Sequence, residues 1–210
     1  TDDSQGKLKK FIKVLVVGDV ATGKTALIRQ YVQGCFSEFY KSTIGVDFAT
    51  KDIKYSDDLT INIQFWDIAG QEYNGNMTRV YYQEACSAFV VFDVLRPNTF
   101  DKVESWKKDI DSKVFTSENK PIPCVLLANK IDLCEDGKWY KTKEEMDKFV
   151  EENNFIEFFE TSARNGTNLD NAANYLVKYV VENHIEPHYD NVQEPVPLDQ
   201  NNKKSSSCCH

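Results

Sequence analysis

No stretch of this chain is apolar for long enough to cross a bilayer. The longest apolar runs, such as Ala88 to Phe92 and Val125 to Ala128, fall far short of the roughly 18 to 20 residues that a span requires. A basic excess is missing too: Lys and Arg number 25 against 33 Asp and Glu, for a net charge of -8. Proteins that grip phosphate backbones need a cationic face, so nucleic acid is not an expected partner. Cysteine is sparse, with 6 in 210 residues. That excludes a disulfide scaffold, and Cys35, Cys86, Cys124 and Cys134 lack the paired spacing of metal ligands, so they read as reduced, mostly structural thiols. Thr1 to Lys10 lacks the apolar core of a secretory signal, which predicts a cytoplasmic location. No internal repeat is found.

What is present is the composition of one folded domain, with 41% hydrophobic and 28% charged residues. Phe11 to Val17 is a short, β-branched run stopped at Gly18, which predicts a buried strand, and helical residues follow from Thr25 to about Gln33. Ser87 to Asp93 and Pro123 to Asn129 repeat the strand pattern, followed by helices near Thr99 to Val114 and Thr142 to Glu152. Ile61, Ile63 and Phe65 alternate with polar or amphipathic neighbours after the turn residues Asp57 and Asp58, which predicts a hairpin between Asp47 and Asp67 at a sheet edge. A last strand near Phe155 to Glu160 leads into a helix from about Asn168 to Glu182. The alternation predicts an α/β fold with a six-stranded, mainly parallel sheet, one antiparallel edge strand and helices on both faces. After Glu186 the composition turns to Pro, Asn, Gln, Lys and Ser. The expected organisation is a flexible segment at 1–9, one domain at 10–183 and a flexible tail at 184–210.

Gly18-Asp19-Val20-Ala21-Thr22-Gly23-Lys24-Thr25 matches G-x-x-x-x-G-K-[ST] between a strand and a helix, where a phosphate-binding loop belongs. In such a loop the backbone amides cradle phosphates, Lys24 reaches the β- and γ-oxygens, and the Thr25 hydroxyl ligates Mg²⁺. The loop alone does not separate ATP from GTP. Asn129-Lys130-Ile131-Asp132, at a strand end, makes that separation. The Asp132 carboxylate accepts from N1–H and the 2-amino group of guanine, donors that adenine lacks there. Asp67-Ile68-Ala69-Gly70-Gln71 has the parts of a γ-phosphate sensor: Asp67 to hold Mg²⁺ through water, the Gly70 N–H for the γ-phosphate and Gln71 to orient the attacking water. Thr43, in the preceding loop, is a second hydroxyl for the same ion while the γ-phosphate holds that loop.

Together these residues resemble the Ras superfamily of small GTPases over residues 10 to about 183. Ser42-Thr43-Ile44-Gly45-Val46-Asp47-Phe48 and Trp66-Asp67-Ile68-Ala69-Gly70-Gln71-Glu72 are similar to the two switches of the Rab family. Ile68, the string Gly75-Asn76-Met77-Thr78-Arg79-Val80-Tyr81-Tyr82 and Pro121-Ile122-Pro123 look most like the Rab branch serving lysosome-related organelles. The resemblance implies a P-loop NTPase of the small G-domain type and a slow GTPase switch acting in vesicle traffic. It would have Phe36 pack on the guanine ring, Thr161-Ser162-Ala163 with Arg164 line the base, and Lys130 brace nucleotide and loop. Ile44, Phe48, Trp66 and Tyr81 would face effectors, although Trp66 beside a buried strand has packing as its alternative. Exchange factor, GTPase-activating protein, GDP-dissociation inhibitor or escort protein, and an intracellular membrane are the implied partners. Cys208 and Cys209 resemble the double-cysteine ends that Rabs carry geranylgeranylated; a metal fragment or a vicinal disulfide stays open for them.

Four residues depart from the family pattern. Arg164 replaces a usual Lys, Tyr73 replaces an Arg, and Val20-Ala21 stands where small residues and glycine are common. The branched Val20 beside the transferring phosphoryl group predicts slow intrinsic hydrolysis. The rival reading is a nucleotide-holding interaction module that hardly turns over, and a P-loop kinase using ATP is opposed by Asn129 and Asp132.

Overall fold

The computed structural model describes residues 8–39, 41–73, 75, 78–135 and 139–186. Six strands form one sheet: β1 (Leu8–Val17), β2 (Val46–Lys54), β3 (Leu59–Ile68), β4 (Ser87–Asp93), β5 (Cys124–Asn129) and β6 (Glu157–Thr161). Their order is β2-β3-β1-β4-β5-β6, with β2 and β3 antiparallel and the rest parallel. The antiparallel pairing of β2 with β3 follows from the short turn at Asp57 and Asp58, because only antiparallel neighbours join by so short a link. β4 and β5 are buried at every position, as an apolar run covered on both faces demands.

The helices are α1 (Lys24–Gln33), α2 (Thr78–Tyr82), α3 (Pro97–Phe100), α4 (Val103–Lys113), α5 (Lys143–Glu152) and α6 (Leu169–Glu182). Alternation along β1 divides the core. Ile12, Val14 and Val16 pack with Leu27 and Ile28 of α1 and Leu176 and Val177 of α6 on one face. Leu15 and Val17 pack with Tyr82 of α2, Trp106 and Ile110 of α4 and Met146 of α5 on the other. The loops after β1, β4, β5 and β6 therefore gather beyond the carboxyl ends of the strands, where open α/β sheets bind ligands.

Several expectations shift. The helix expected over Thr99 to Val114 is broken at Asp101 and Lys102 into α3 and α4, and Pro97 fixes the first turn of α3. β1 begins at Leu8, paired with Leu59, inside the segment expected to be flexible. β6 starts at Glu157, because the Phe155 amide closes the end of α5 on Val150 O. The chain expected to be tail at 184–186 still bonds to the domain: His184 and Ile185 cap α6 on Val181 and Val180, and Ser117 N donates to Glu186 O. Asn76, Met77, Cys208 and Cys209 lie outside the described residues. No helix among the described residues is long and apolar enough to cross a membrane.

Candidate functional site

The loop between β1 and α1 is set by what its glycines allow. Gly18 has φ +143°, and a Cβ there would sit 2.1 Å from Val91 O. Gly23 has φ +97°, and a Cβ there would meet Asn129 Nδ2 at 2.4 Å. Neither position tolerates a side chain. Ala21 also adopts a left-handed φ of 58°, which costs an L-residue about 1 to 2 kcal/mol and explains why glycine is common there.

Every carbonyl from Gly18 to Gly23 has a donor. Lys24 Nζ donates to Gly18 O at 2.8 Å and Asp19 O at 2.9 Å. Arg96 Nη2 takes Val20 O at 2.8 Å, Lys130 Nζ takes Ala21 O at 3.0 Å and Asn129 Nδ2 takes Thr22 O at 2.9 Å. Leu27 N takes Gly23 O at 2.8 Å. A trans peptide points its N–H opposite to its C=O, so carbonyls held in this way leave the loop amides directed elsewhere. The Val20 amide is an exception, because it donates to Asp19 Oδ1 at 2.8 Å. Lys24 is buried, and desolvation pulls its ammonium down to about 8 against the opposing charges of Asp67 and Asp19. Such an ammonium gains from a nearby anion.

A cavity of about 250 Å³ opens on this loop, lined by Val20, Ala21, Gly23, Lys24, Thr25, Phe36, Thr43, Gly70 and Gln71 among others. At one wall Thr25 Oγ1 lies 2.7 Å from Thr43 Oγ1 and donates to Asp67 Oδ2. Asp67 is buried, and desolvation pushes its carboxyl up from the ordinary range, with Thr25 and Lys24 opposing. Its Oδ1 is buried without a hydrogen-bond partner. A hydroxyl pair and a half-satisfied carboxylate form an all-oxygen donor set suited to a hard cation such as Mg²⁺. Gly70 rests on the loop itself: a Cβ there would fall 2.4 Å from Val20 N and 2.6 Å from Asp19 C. The segment after β3 thus reaches the phosphate loop only because position 70 is glycine. Gln71 is exposed at the cavity edge.

An adjoining cavity of about 230 Å³ is lined by Phe36, Glu38, Asn129, Lys130, Asp132, Leu133, Ala163 and Arg164 among others. Asp132 Oδ1 accepts from Ser162 Oγ at 2.6 Å, and Ser162 Oγ accepts in turn from the Arg164 amide at 3.1 Å. This chain of bonds fixes the carboxylate. Asn129 is wholly buried and spends its amide on protein: besides Thr22 O it accepts from Ala163 N at 3.2 Å and Thr161 Oγ1 at 3.4 Å. It stitches three loops together. Arg164 Nη2 reaches Glu38 Oε1 at 3.1 Å across the mouth, a contact the sequence did not reveal.

Away from the cavities, Ile44 is 86% exposed and Phe48 58% exposed. Phe48 meets the half-buried Trp66 edge to face at 4.5 Å, and Lys13 Nζ lies 3.3 Å from the Trp66 ring centroid. Trp66 therefore both packs and presents a surface. Tyr81 is half-buried nearby in the second core. Tyr73, the departure after Gln-Glu, packs on Trp106 of α4 at 5.0 Å.

Sequence reasoning also missed Asp93, Arg96 and Lys102. Asp93 is 2% exposed at the end of β4, and its Oδ2 accepts from Arg96 Nε at 2.9 Å and Lys130 Nζ at 2.7 Å. Lys102 Nζ pairs with Asp19 Oδ2 at 3.0 Å. One signal was available: an aspartate ending a fully apolar strand must be paired if it is buried.

A glycine-dependent loop between a strand and a helix, a hydrogen-bonded carboxylate in the adjoining cavity and a cluster of oxygen donors between them are features shared with P-loop nucleotide-binding proteins. Comparison with known proteins makes this specific. Residues 13–182 match the Ras family. The chain is 50% identical over 184 residues to Ras-related protein Rab-32A of Dictyostelium discoideum, covering 87% of this chain and 84% of that one. It is 46% identical over 201 residues to human Ras-related protein Rab-32, covering 94% and 88%. To human Ras-related protein Rab-7L1 it is 41% identical over 205 residues, covering 97% and 100%. The chain belongs to the Rab family of Ras-related small GTPases. It is accordingly a GTP hydrolase and a GTP-binding switch of vesicle traffic, and the family does not favour the non-hydrolysing module. Proteins of this family bind GTP or GDP, generally need Mg²⁺, and work with regulators and effectors.

Proposed function

We propose that the two cavities hold one guanine nucleotide, with the phosphates on the amides of Ala21, Thr22 and Gly23 and on Lys24, and the base between Phe36 and the Asp132 slot. Asp132 identifies guanine. Ser162, Ala163 and Arg164 close one side of the base, and Lys130 braces it. Thr25, Thr43 and, through water, Asp67 are the protein's oxygen donors to Mg²⁺, which when bound neutralises charge on the β- and γ-phosphates.

The observation that carries this reading is the meeting of Thr25, Thr43 and Asp67 at one point, because they come from α1, the following loop and the end of β3. A γ-phosphate that binds Thr43 and the Gly70 amide pulls two loops onto the site. Its loss lets both go. In hydrolysis the water oxygen attacks the γ-phosphorus and the bond to the β-phosphate breaks; Gln71 orients the water, and an activating protein supplies an arginine. Ile44, Phe48, Trp66 and Tyr81 form the face that effectors read in the GTP state. An exchange factor and a GDP-dissociation inhibitor or escort protein complete the cycle. Geranylgeranyl groups on Cys208 and Cys209 anchor the switch to the cytosolic face of lysosome-related endomembranes.

Gly70→Ala tests the coupling. GDP binding should persist, while hydrolysis in single turnover with an activating protein should fall by about 10²-fold, because a misplacement of this size ruins positioning. Undiminished stimulated hydrolysis would refute it.

A further inference from the structure

We infer that Arg96 is a positioning residue for nucleotide phosphates, acting through the peptide between Val20 and Ala21. This rests on the nucleotide reading of the loop and deepens it. Arg96 sits in the turn after β4, a strand buried along its whole length, just before Pro97 opens α3. Its Nε donates to Asp93 Oδ2 at 2.9 Å and its Nη2 donates to Val20 O at 2.8 Å. One planar fork therefore spans a buried carboxylate and a loop carbonyl that lies 76 residues away in sequence.

The turn carrying the fork is rigid. Asp93 Oδ1 accepts from Leu95 N at 3.0 Å, and Thr99 Oγ1 accepts from Asp93 N at 3.0 Å and donates to Arg96 O at 2.8 Å. Arg96 does not line the phosphate cavity, whereas Val20 and Ala21 do. The guanidinium thus holds the peptide from outside. Because the peptide is planar and trans, the Ala21 N–H points away from the guanidinium, toward the side on which the phosphates lie.

The arrangement is doubled at the next peptide. Lys130 Nζ shares Asp93 Oδ2 and holds Ala21 O, which directs the Thr22 N–H in the same sense. Asp93 is the common anchor, and through it the purine-reading segment and the phosphate loop share one buried charge. Lys102 on Asp19 supports the loop one residue earlier. Arg96 is the member of this set that holds a backbone carbonyl of the loop without belonging to any recognised nucleotide motif. Holding that peptide matters more here than in a glycine loop, since Ala21 has a left-handed φ that it would otherwise leave.

The test compares the full chain with Arg96→Gln and Arg96→Lys, each loaded with GDP and Mg²⁺. Dissociation of a fluorescent GDP analogue, the ³¹P resonances of bound GDP and thermal unfolding are read together. Arg96→Gln should release nucleotide about tenfold faster, as loss of a charge-assisted hydrogen bond predicts, and should move the β-phosphate resonance. Arg96→Lys, which keeps the charge but not the fork, should fall between. Unchanged release overturns the inference, and so does faster release with an unmoved β-phosphate resonance and a lowered melting temperature, which would make Arg96 a support of the fold. If the unmodified chain bound no GDP at all, the nucleotide reading itself would fail, an outcome distinct from either.

Discussion

Val20 shows what a single side chain decides. It is 43% exposed, lines the phosphate cavity, and its amide lies where a Cβ on Gly70 would collide. With a nucleotide bound as proposed, a branched side chain here would crowd the γ-phosphate. Val20→Gly should raise the intrinsic single-turnover rate of GTP hydrolysis about tenfold, since positioning governs phosphoryl transfer. Equal rates would show that Val20 does not obstruct. The residues legible in the sequence were those whose chemistry fixes both type and spacing: Lys24 and Thr25, Asp67 and Gly70, Asn129 and Asp132. Arg96 and Lys102 were not legible. Each acts across more than 70 residues of sequence, and a lone cation in a polar loop looks like any solvated one. Asn129 was legible as a motif residue, but its buried work of holding Thr22, Thr161 and Ala163 together appears only once the loops meet.

At the scale of elements, periodicity served the long runs and failed the short ones. Ser87 to Asp93 is a strand at the predicted bounds, because an apolar β-branched run has nowhere to go but the middle of a covered sheet. Helix α2, five residues long, was too short to show a period. Tertiary contacts hold it: Tyr82 OH donates to Asp109 Oδ2 at 3.0 Å and Lys113 Nζ donates to Thr78 Oγ1 at 2.9 Å, both from α4. The segment carrying Gly70 and Gln71 is therefore tied to α4 at Tyr73 and Tyr82. Helix α5 lies within a residue of its expected bounds, and the structure shows Thr142 and Glu145 forming a capping box at its start. Glu145 N donates to Thr142 Oγ1 at 3.2 Å and Thr142 N to Glu145 Oε2 at 2.8 Å. Thr142→Ala should lower unfolding free energy by about 1 kcal/mol in urea titrations at fixed GDP, with nucleotide release unchanged. A neutral substitution would mean that packing of Met146 and Phe149 alone sustains the helix.

Across the whole molecule, one sheet sorts structure from function. Its two faces carry the apolar cores, and the carboxyl ends of β1, β4, β5 and β6 carry the loops that meet at the site. The phosphate loop is framed from three directions, by Lys24 within, by Asn129 and Lys130 after β5, and by Arg96 after β4. Nucleotide binding is therefore linked to folding, and ligand at a hundredfold excess over its dissociation constant adds about 2.7 kcal/mol to stability. The most direct measurement is equilibrium displacement of a fluorescent GDP analogue from the Mg²⁺-loaded protein by GDP and by ADP. The guarded Asp132 carboxylate leaves adenine without matching donors, so GDP should compete at least about 10⁴-fold better, and Asp132→Ala should erase most of that preference. Equal displacement by the two nucleotides would contradict the assignment of this pocket to guanine.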